Sequence, residues 1–243
     1  MEKQKRNGLI KKRTLIATNL VNLLILLLFS VTSFAAAAGT VTHVSGPLVV
    51  KKADGKIKSL SIGSSVESGD LVITEKRTYA CLKFSDGSQV TLKPNTQFKV
   101  ENYVYEQSSP KEDAGSFKLI KGGLRTITGQ IGKRGNEHSY RMKTPTATIG
   151  IRGTIYDLHF CQGVECGASI QPGLYLAVTD GTIVVTNDAG LQTTLEVKTG
   201  QYVYIKDASS PPVLMPSKPD IPFNLPKIFE KPPKTGGTDC QLR

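Results

Sequence analysis

After residue 38 no stretch of the chain sustains a 3.6-residue apolar period for three turns, so a helical core is excluded over most of its length. Short β-branched and aromatic runs appear instead, cut by turn residues about every ten positions. Thr40–Val44 and Leu48–Val50 precede the turn Ala53-Asp54-Gly55. Tyr79–Phe84 alternates into Ser85-Asp86-Gly87-Ser88, a tight hairpin signal before Val90–Leu92. Further strands are expected at Gln97–Tyr105, Ser116–Ile120, Leu124–Thr128, Ile155–Phe160, Leu174–Val178, Thr182–Thr186, Thr193–Val197 and Gln201–Ile205. The expected class is all-β, with the strands in one domain over residues 39–206, built as a small β-solenoid or a twisted double sheet.

Gly46–Gly55 and Gly181–Gly190 share their length and their Gly-x-x-Val-Val pattern. Each is followed by a strand and then by Gly-x-x-Val, at Gly69–Val72 and Gly200–Val203. A supersecondary unit used twice would produce this, as would two ordinary β-hairpins.

The chain of 243 residues carries a net charge of +11, which invites a nucleic-acid partner. Lys3, Lys5, Arg6, Lys11, Lys12 and Arg13 stand against Glu2 before an apolar run from Leu15 to Phe34 and then Ala35–Ala38. Basic, apolar and small-residue regions in that order form a secretory signal peptide over residues 1–38, a helical targeting segment, cleaved after Ala37 or Ala38. An uncleaved membrane anchor is the competing reading. The mature chain is then exported, periplasmic or at the cell surface, with no nucleic-acid partner. Its residual charge of +6 lies along strands, loops and tail without a dense basic stripe.

From Asp207 onward the composition changes. Eight of the 13 prolines lie in 207–243, and proline at this density favours an extended, flexible spacer. Ile221–Phe229 nevertheless holds enough apolar side chains to dock.

Catalysis needs a nucleophile, a base and an orienting group. His43, His138 and His159 stand in no recognisable spacing, no metalloprotease or nucleophile-elbow motif occurs, and the Asp-Gly turns lack the carboxylate density of a calcium loop. No enzyme activity, metal or cofactor is expected. Cys161 and Cys166 bracket four residues at a hairpin tip and are expected to form a disulfide in an oxidising compartment. Cys81 reads as a half-buried strand thiol that could pair with Cys240 or with another chain.

Thr144-Pro145-Thr-Ala147-Thr-Ile-Gly150-Ile-Arg152-Gly153-Thr154-Ile-Tyr-Asp resembles the signature of the FecR family of extracytoplasmic domains. Gly39–Gly46, Gly69-Asp70-Leu, Phe84–Ser88, Leu92–Thr96 and Leu119–Arg125 are similar to the family as well. A structural task suits this signature. Pro145 sets an extended entry, the glycines permit close backbone approach, and Arg152 is expected to bond carbonyls at a strand crossing, with a ligand-binding arginine as the alternative. The resemblance implies an extracytoplasmic β module that contacts envelope proteins. Some thirteen residues before the apolar run are too few for the family's cytoplasmic anti-sigma region. The first expectation is therefore a non-catalytic protein-interaction module. An anchored component of envelope signalling and a cell-wall or polyanion binder are the alternatives.

Overall fold

The computed structural model describes residues 37–134, 138–166, 170–221 and 223–226; the segment through residue 36, where a signal peptide is expected, and Cys240 lie outside them. Its strands are β1 (Ala37–Val44), β2 (Leu48–Lys51), β3 (Ile57–Ser59), β4 (Ser65–Glu67), β5 (Leu71–Thr74), β6 (Ala80–Phe84), β7 (Gln89–Leu92), β8 (Gln97–Val104), β9 (Ala114–Ile127), β10 (Tyr140–Lys143), β11 (Ala147–Cys161), β12 (Gly173–Asn187), β13 (Thr194–Lys198), β14 (Tyr202–Ile205) and β15 (Val213–Met215). Single helical turns occur at Pro110–Glu112, Ile131–Arg134 and Gly163–Cys166. No helix among the described residues is long and apolar enough to cross a membrane.

Three strands, β9, β11 and β12, are much longer than the rest, and each bends at a glycine with positive φ: Gly122 at 86°, Gly153 at 63° and Gly181 at 84°. On one side of the bends they join the layer β4-β1-β6-β7-β9-β11-β12-β14-β15. On the other side they join the layer β3-β2-β5-β8-β9-β10-β11-β12-β13. All pairings are antiparallel except β9 with β10. One continuous open sheet is thus folded over itself, the double-sheet form of the all-β expectation. Gly122-Gly123 reads in sequence as a break between two strands; in the structure it is the bend within β9.

The two layers share one core. Alternation along each strand turns Leu82, Phe84 and Leu158 of the first layer toward Phe98, Phe117 and Met142 of the second, all nearly solvent-free. Phe84 and Phe117 meet edge to face at 5.1 Å, and the Tyr140 and Tyr156 hydroxyls bond at 2.8 Å. Burial raises the pKa of both phenols, so the pair stays neutral and serves as a polar pin through the core.

The similar stretches Gly46–Gly55 and Gly181–Gly190 form the β2–β3 hairpin and the turn from β12 into β13, at opposite edges of the second layer. The strands that follow them, β5 and β14, return to pair with β2 and β12.

The described packing does not end at residue 206, and the reading of the segment after it as a spacer is corrected as far as Leu225. Val213–Met215 adds a strand beside β14. Ile221, Phe223 and Leu225 are then buried against the outside of the first layer. Proline removes backbone donors, but alternate apolar side chains on an extended segment still supply a hydrophobic stripe.

Candidate functional site

The signature residues build a corner. Thr144 Oγ1 accepts the Ala147 N–H at 3.0 Å and donates to the Ala147 carbonyl at 2.9 Å, which closes the turn Thr144-Pro145-Thr146-Ala147 between β10 and β11. Gly150 pairs with Arg141 and Val184 on flat strand. At Gly153 the β11 register slips, and Thr154 ties the bend on both sides: its N–H donates to Thr128 Oγ1 at 2.7 Å and its Oγ1 donates to the Thr182 carbonyl at 2.9 Å. A Cβ on Gly181 would lie 2.5 Å from the Gly153 carbonyl oxygen, so the bend at Gly181 requires the absence of a side chain. Arg152 does not bond carbonyls there. Ile151 faces the core, strand alternation turns Arg152 outward, and its side chain is exposed beside Thr182 and Lys198. Cys161 and Cys166 are disulfide-bonded with Cα atoms 5.1 Å apart, and none of the described cysteines is a free thiol.

The outer face of the first layer holds a buried ion cluster. Asp157, 1% exposed, accepts from Lys93 Nζ at 3.2 Å and from Arg125 Nε at 2.8 Å. The C-terminal strap seals it: Arg125 Nη2 donates to the Phe223 carbonyl at 3.1 Å, and Lys93 Nζ lies 5.2 Å from the Phe223 ring centre. Burial lowers the Lys93 pKa, and Asp157 opposes the shift. Two strand positions from Asp157, His159 is pushed down to about 4 by burial and by the Lys93 charge. His159 is therefore neutral at pH 7. Asp157, Lys93 and Arg125 are covered and satisfy one another, which suits cohesion better than chemistry.

The outer face of the second layer differs. Consecutive pairings carry one side-chain row across the layer: Ile57, Lys51, Leu71, Lys99, Lys118, Lys143, Thr148, Thr186, Thr194. Lys99, Lys118 and Lys143 are direct neighbours on adjacent strands, about 4.8 Å apart at the backbone. Like charges opposite each other cost roughly 0.2–1 kcal/mol per pair. Among the described residues Lys51, Lys99 and Lys118 make no ion pair, and Lys143 pairs with Glu101 at 2.9 Å. Glu101 also accepts from Ser116 Oγ at 3.0 Å, and these two bonds hold its carboxyl below the usual range against the opposing effect of burial.

Beside Lys143 opens a pocket of about 190 Å³ lined by Ala114, Gly115, Ser116, His138, Ser139, Arg141 and Lys143. Two of its lining side chains, Ser116 and Lys143, already donate to the Glu101 carboxylate. Sequence reading found no dense basic stripe; pairing assembles one from residues 51, 99, 118 and 143. Among the described residues no group of three His, Cys, Asp or Glu side chains could hold a metal ion.

Fold and face together define an all-β domain of two layers with one sealed and one cationic outer surface. The family model "FecR protein" matches residues 70–183, from the start of β5 into the second half of β12, and the chain carries a FecR domain. The folded chain is similar to two crystal structures of a "putative anti-sigma factor" from Parabacteroides distasonis, each with 11% identity, a TM-score of 0.45, and coverage of 60% of this chain and 59% of theirs. The chain thus spans about three-fifths of those structures. A structure described as "Cell surface anchoring domain" shares 24% identity over 25% of this chain and 80% of its own, at a TM-score of 0.25. No curated protein matches.

Proposed function

We propose that this is an exported, non-catalytic FecR-domain protein that acts as an interaction module of the cell envelope, periplasmic or at the surface. The observation that carries the reading is the open sheet. Among the described residues the first layer ends at β15, which pairs with β14 along one edge and with no strand along the other, and Val213 is 55% and Leu214 44% exposed. Such an edge accepts an added strand from a partner: main-chain bonds supply affinity and alternate side chains supply selectivity.

The Cys161–Cys166 disulfide supports an oxidising compartment. Ala38 supports a mature end that keeps nearly all of β1. Its side chain is buried and its carbonyl accepts the Ser85 N–H at 3.0 Å, so cleavage after Ala37 keeps both and removes only the first residue of β1.

A photo-cross-linking residue at Leu214, expressed in the native envelope, tests the edge. The expected result is one discrete adduct absent when the same group replaces Lys56, an exposed turn residue. Identical adducts at both positions, or none at Leu214, would defeat the reading. The mass of the mature chain tests export: loss of residues 1–37 supports it, and an intact N-terminus favours an anchored signalling component.

A further inference from the structure

We infer that Cys81 is bonded to Cys240 and that this disulfide latches the C-terminal strap over the outer face of the first layer. The latch stands whether or not the β15 edge takes a partner.

Cys81 is disulfide-bonded. The chain has four cysteines, and Cys161 and Cys166 bond each other, so Cys240, beyond the described residues, is the one partner its own chain can offer. A second copy is a poor source. Cys81 is 0% exposed and packs with Leu225 and Tyr79, so another chain would have to lift the strap to reach it. The path of the strap leads to the bond. Strand pairing lines up one row on this face: Tyr202, Ala177, Asp157, Arg125, Thr91 and Cys81. Ile221 and Phe223 cluster with Ala177, the Phe223 carbonyl accepts from Arg125, and Leu225 reaches Cys81. The strap thus crosses the strands along the row and arrives at the cysteine. From Leu225 the chain to Cys240 can span up to about 50 Å, ample for its return.

The strap also has reason to be tied. The N–H groups of Ile221 and Phe223 donate to Pro219 and Ile221 within the strap itself, not to the sheet. A bond from 81 to 240 closes a loop of about 160 residues, and long loops are where a cross-link removes most freedom from the unfolded chain. Two thiols form it. Their two protons and two electrons pass to a disulfide oxidant; with oxidised glutathione the products are the Cys81–Cys240 bond and two molecules of reduced glutathione.

The test equilibrates the purified full chain in an oxidising glutathione buffer, caps free thiols, and maps a non-reduced digest by mass spectrometry. One linked peptide pair should join Cys81 to Cys240. Cys240→Ser should then speed amine labelling of Lys93 under the strap about tenfold. It should also lower the melting temperature by about 10 °C. Cys81→Ser should reproduce both changes. Cys161→Ser with Cys166→Ser breaks the other bond and should leave Lys93 protected.

A capped Cys81 thiol, or a link from Cys81 to Cys161, to Cys166 or to a second chain, would overturn the proposal. So would a linked parent in which Cys240→Ser changes neither labelling nor melting, since the bond would then latch nothing. The oxidant is supplied, so the outcome does not depend on export, and the β15 cross-link and the N-terminal mass stand or fall separately.

Discussion

The two outer faces of the folded sheet handle positive charge in opposite ways. On the first layer Lys93 and Arg125 converge on one carboxylate, Asp157, and a strap of the same chain closes over all three. On the second layer Lys51, Lys99 and Lys118 stand in a row without ion pairs among the described residues, and no described segment covers them. Both faces belong to the same bent strands, so local propensity cannot account for the difference. What differs is solvent. Burial forces charge pairing, because an unpaired ion away from water is costly, whereas a half-buried lysine on an uncovered face keeps its ammonium hydrated.

The sharpest way to break the comparison is Asp157→Asn. The shape is kept, but two cations are left without their carboxylate under the strap. Removing one partner from a buried ion cluster typically costs about 3–5 kcal/mol, and a loss near 4 kcal/mol is expected in urea unfolding. A loss below about 1 kcal/mol, the scale of exposed pairs, would mean that water reaches the cluster and that the two faces are alike.

Phe223→Ala tests the cover itself. A buried phenylalanine truncated to alanine costs about 3 kcal/mol or somewhat more. Beyond that loss, Lys93 should become solvated, and its depressed pKa should return toward the ordinary lysine range. Amine labelling followed by mass spectrometry reads this directly: Lys93 is protected in the parent and reactive in the variant. Continued protection of Lys93 would show that the strands alone seal the cluster.

The sealed face also carries a pH signature that the open face lacks. His159 titrates at about 4 when folded against 6.5 for a free histidine, so the unfolded chain binds the extra proton between those values. Its contribution is fully present above pH 6.5, declines as pH falls toward 4, and is exhausted below 4. The shift corresponds to about 3 kcal/mol. His159→Gln should flatten the stability profile between pH 6.5 and 4 relative to the parent. Parallel profiles for the two chains would place His159 in water.

Much of this was legible in the sequence, and the remainder was hidden for physical reasons. Strand class and turn positions follow from local signals: Ser85–Ser88 turns the chain between β6 and β7, and Cys161–Cys166 closes a short loop. The bends at Gly122, Gly153 and Gly181 were visible as glycines but not as corners, since a corner exists only where another strand crosses it. Arg152 was misread because the inward parity of Ile151 becomes fixed only when β11 meets the core. The strap was underestimated because proline density outweighed the alternation of Ile221, Phe223 and Leu225. The lysine row was beyond reach: residues 51, 99, 118 and 143 are far apart in sequence, and only the register of β2, β5, β8, β9 and β10 aligns them. Parity alone held a hint, since Lys99 and Lys118 each lie between two core residues.

The smallest expected effect bears on the open face. Lys118 sits between Lys99 and Lys143 and is paired with each of them in register. Lys118→Gln removes two like-charge neighbours at the loss of one attraction to Glu101, whose carboxylate already has Lys143. The variant should therefore be more stable than the parent, by up to about 0.5 kcal/mol at low salt. The gain should vanish in about 1 M salt, where the screening length is roughly 3 Å. A folded state that improves when a lysine is removed holds that lysine for something other than folding. A destabilised Lys118→Gln would instead show that the lysine packs into the sheet and supports it, and the two faces would then differ only in degree.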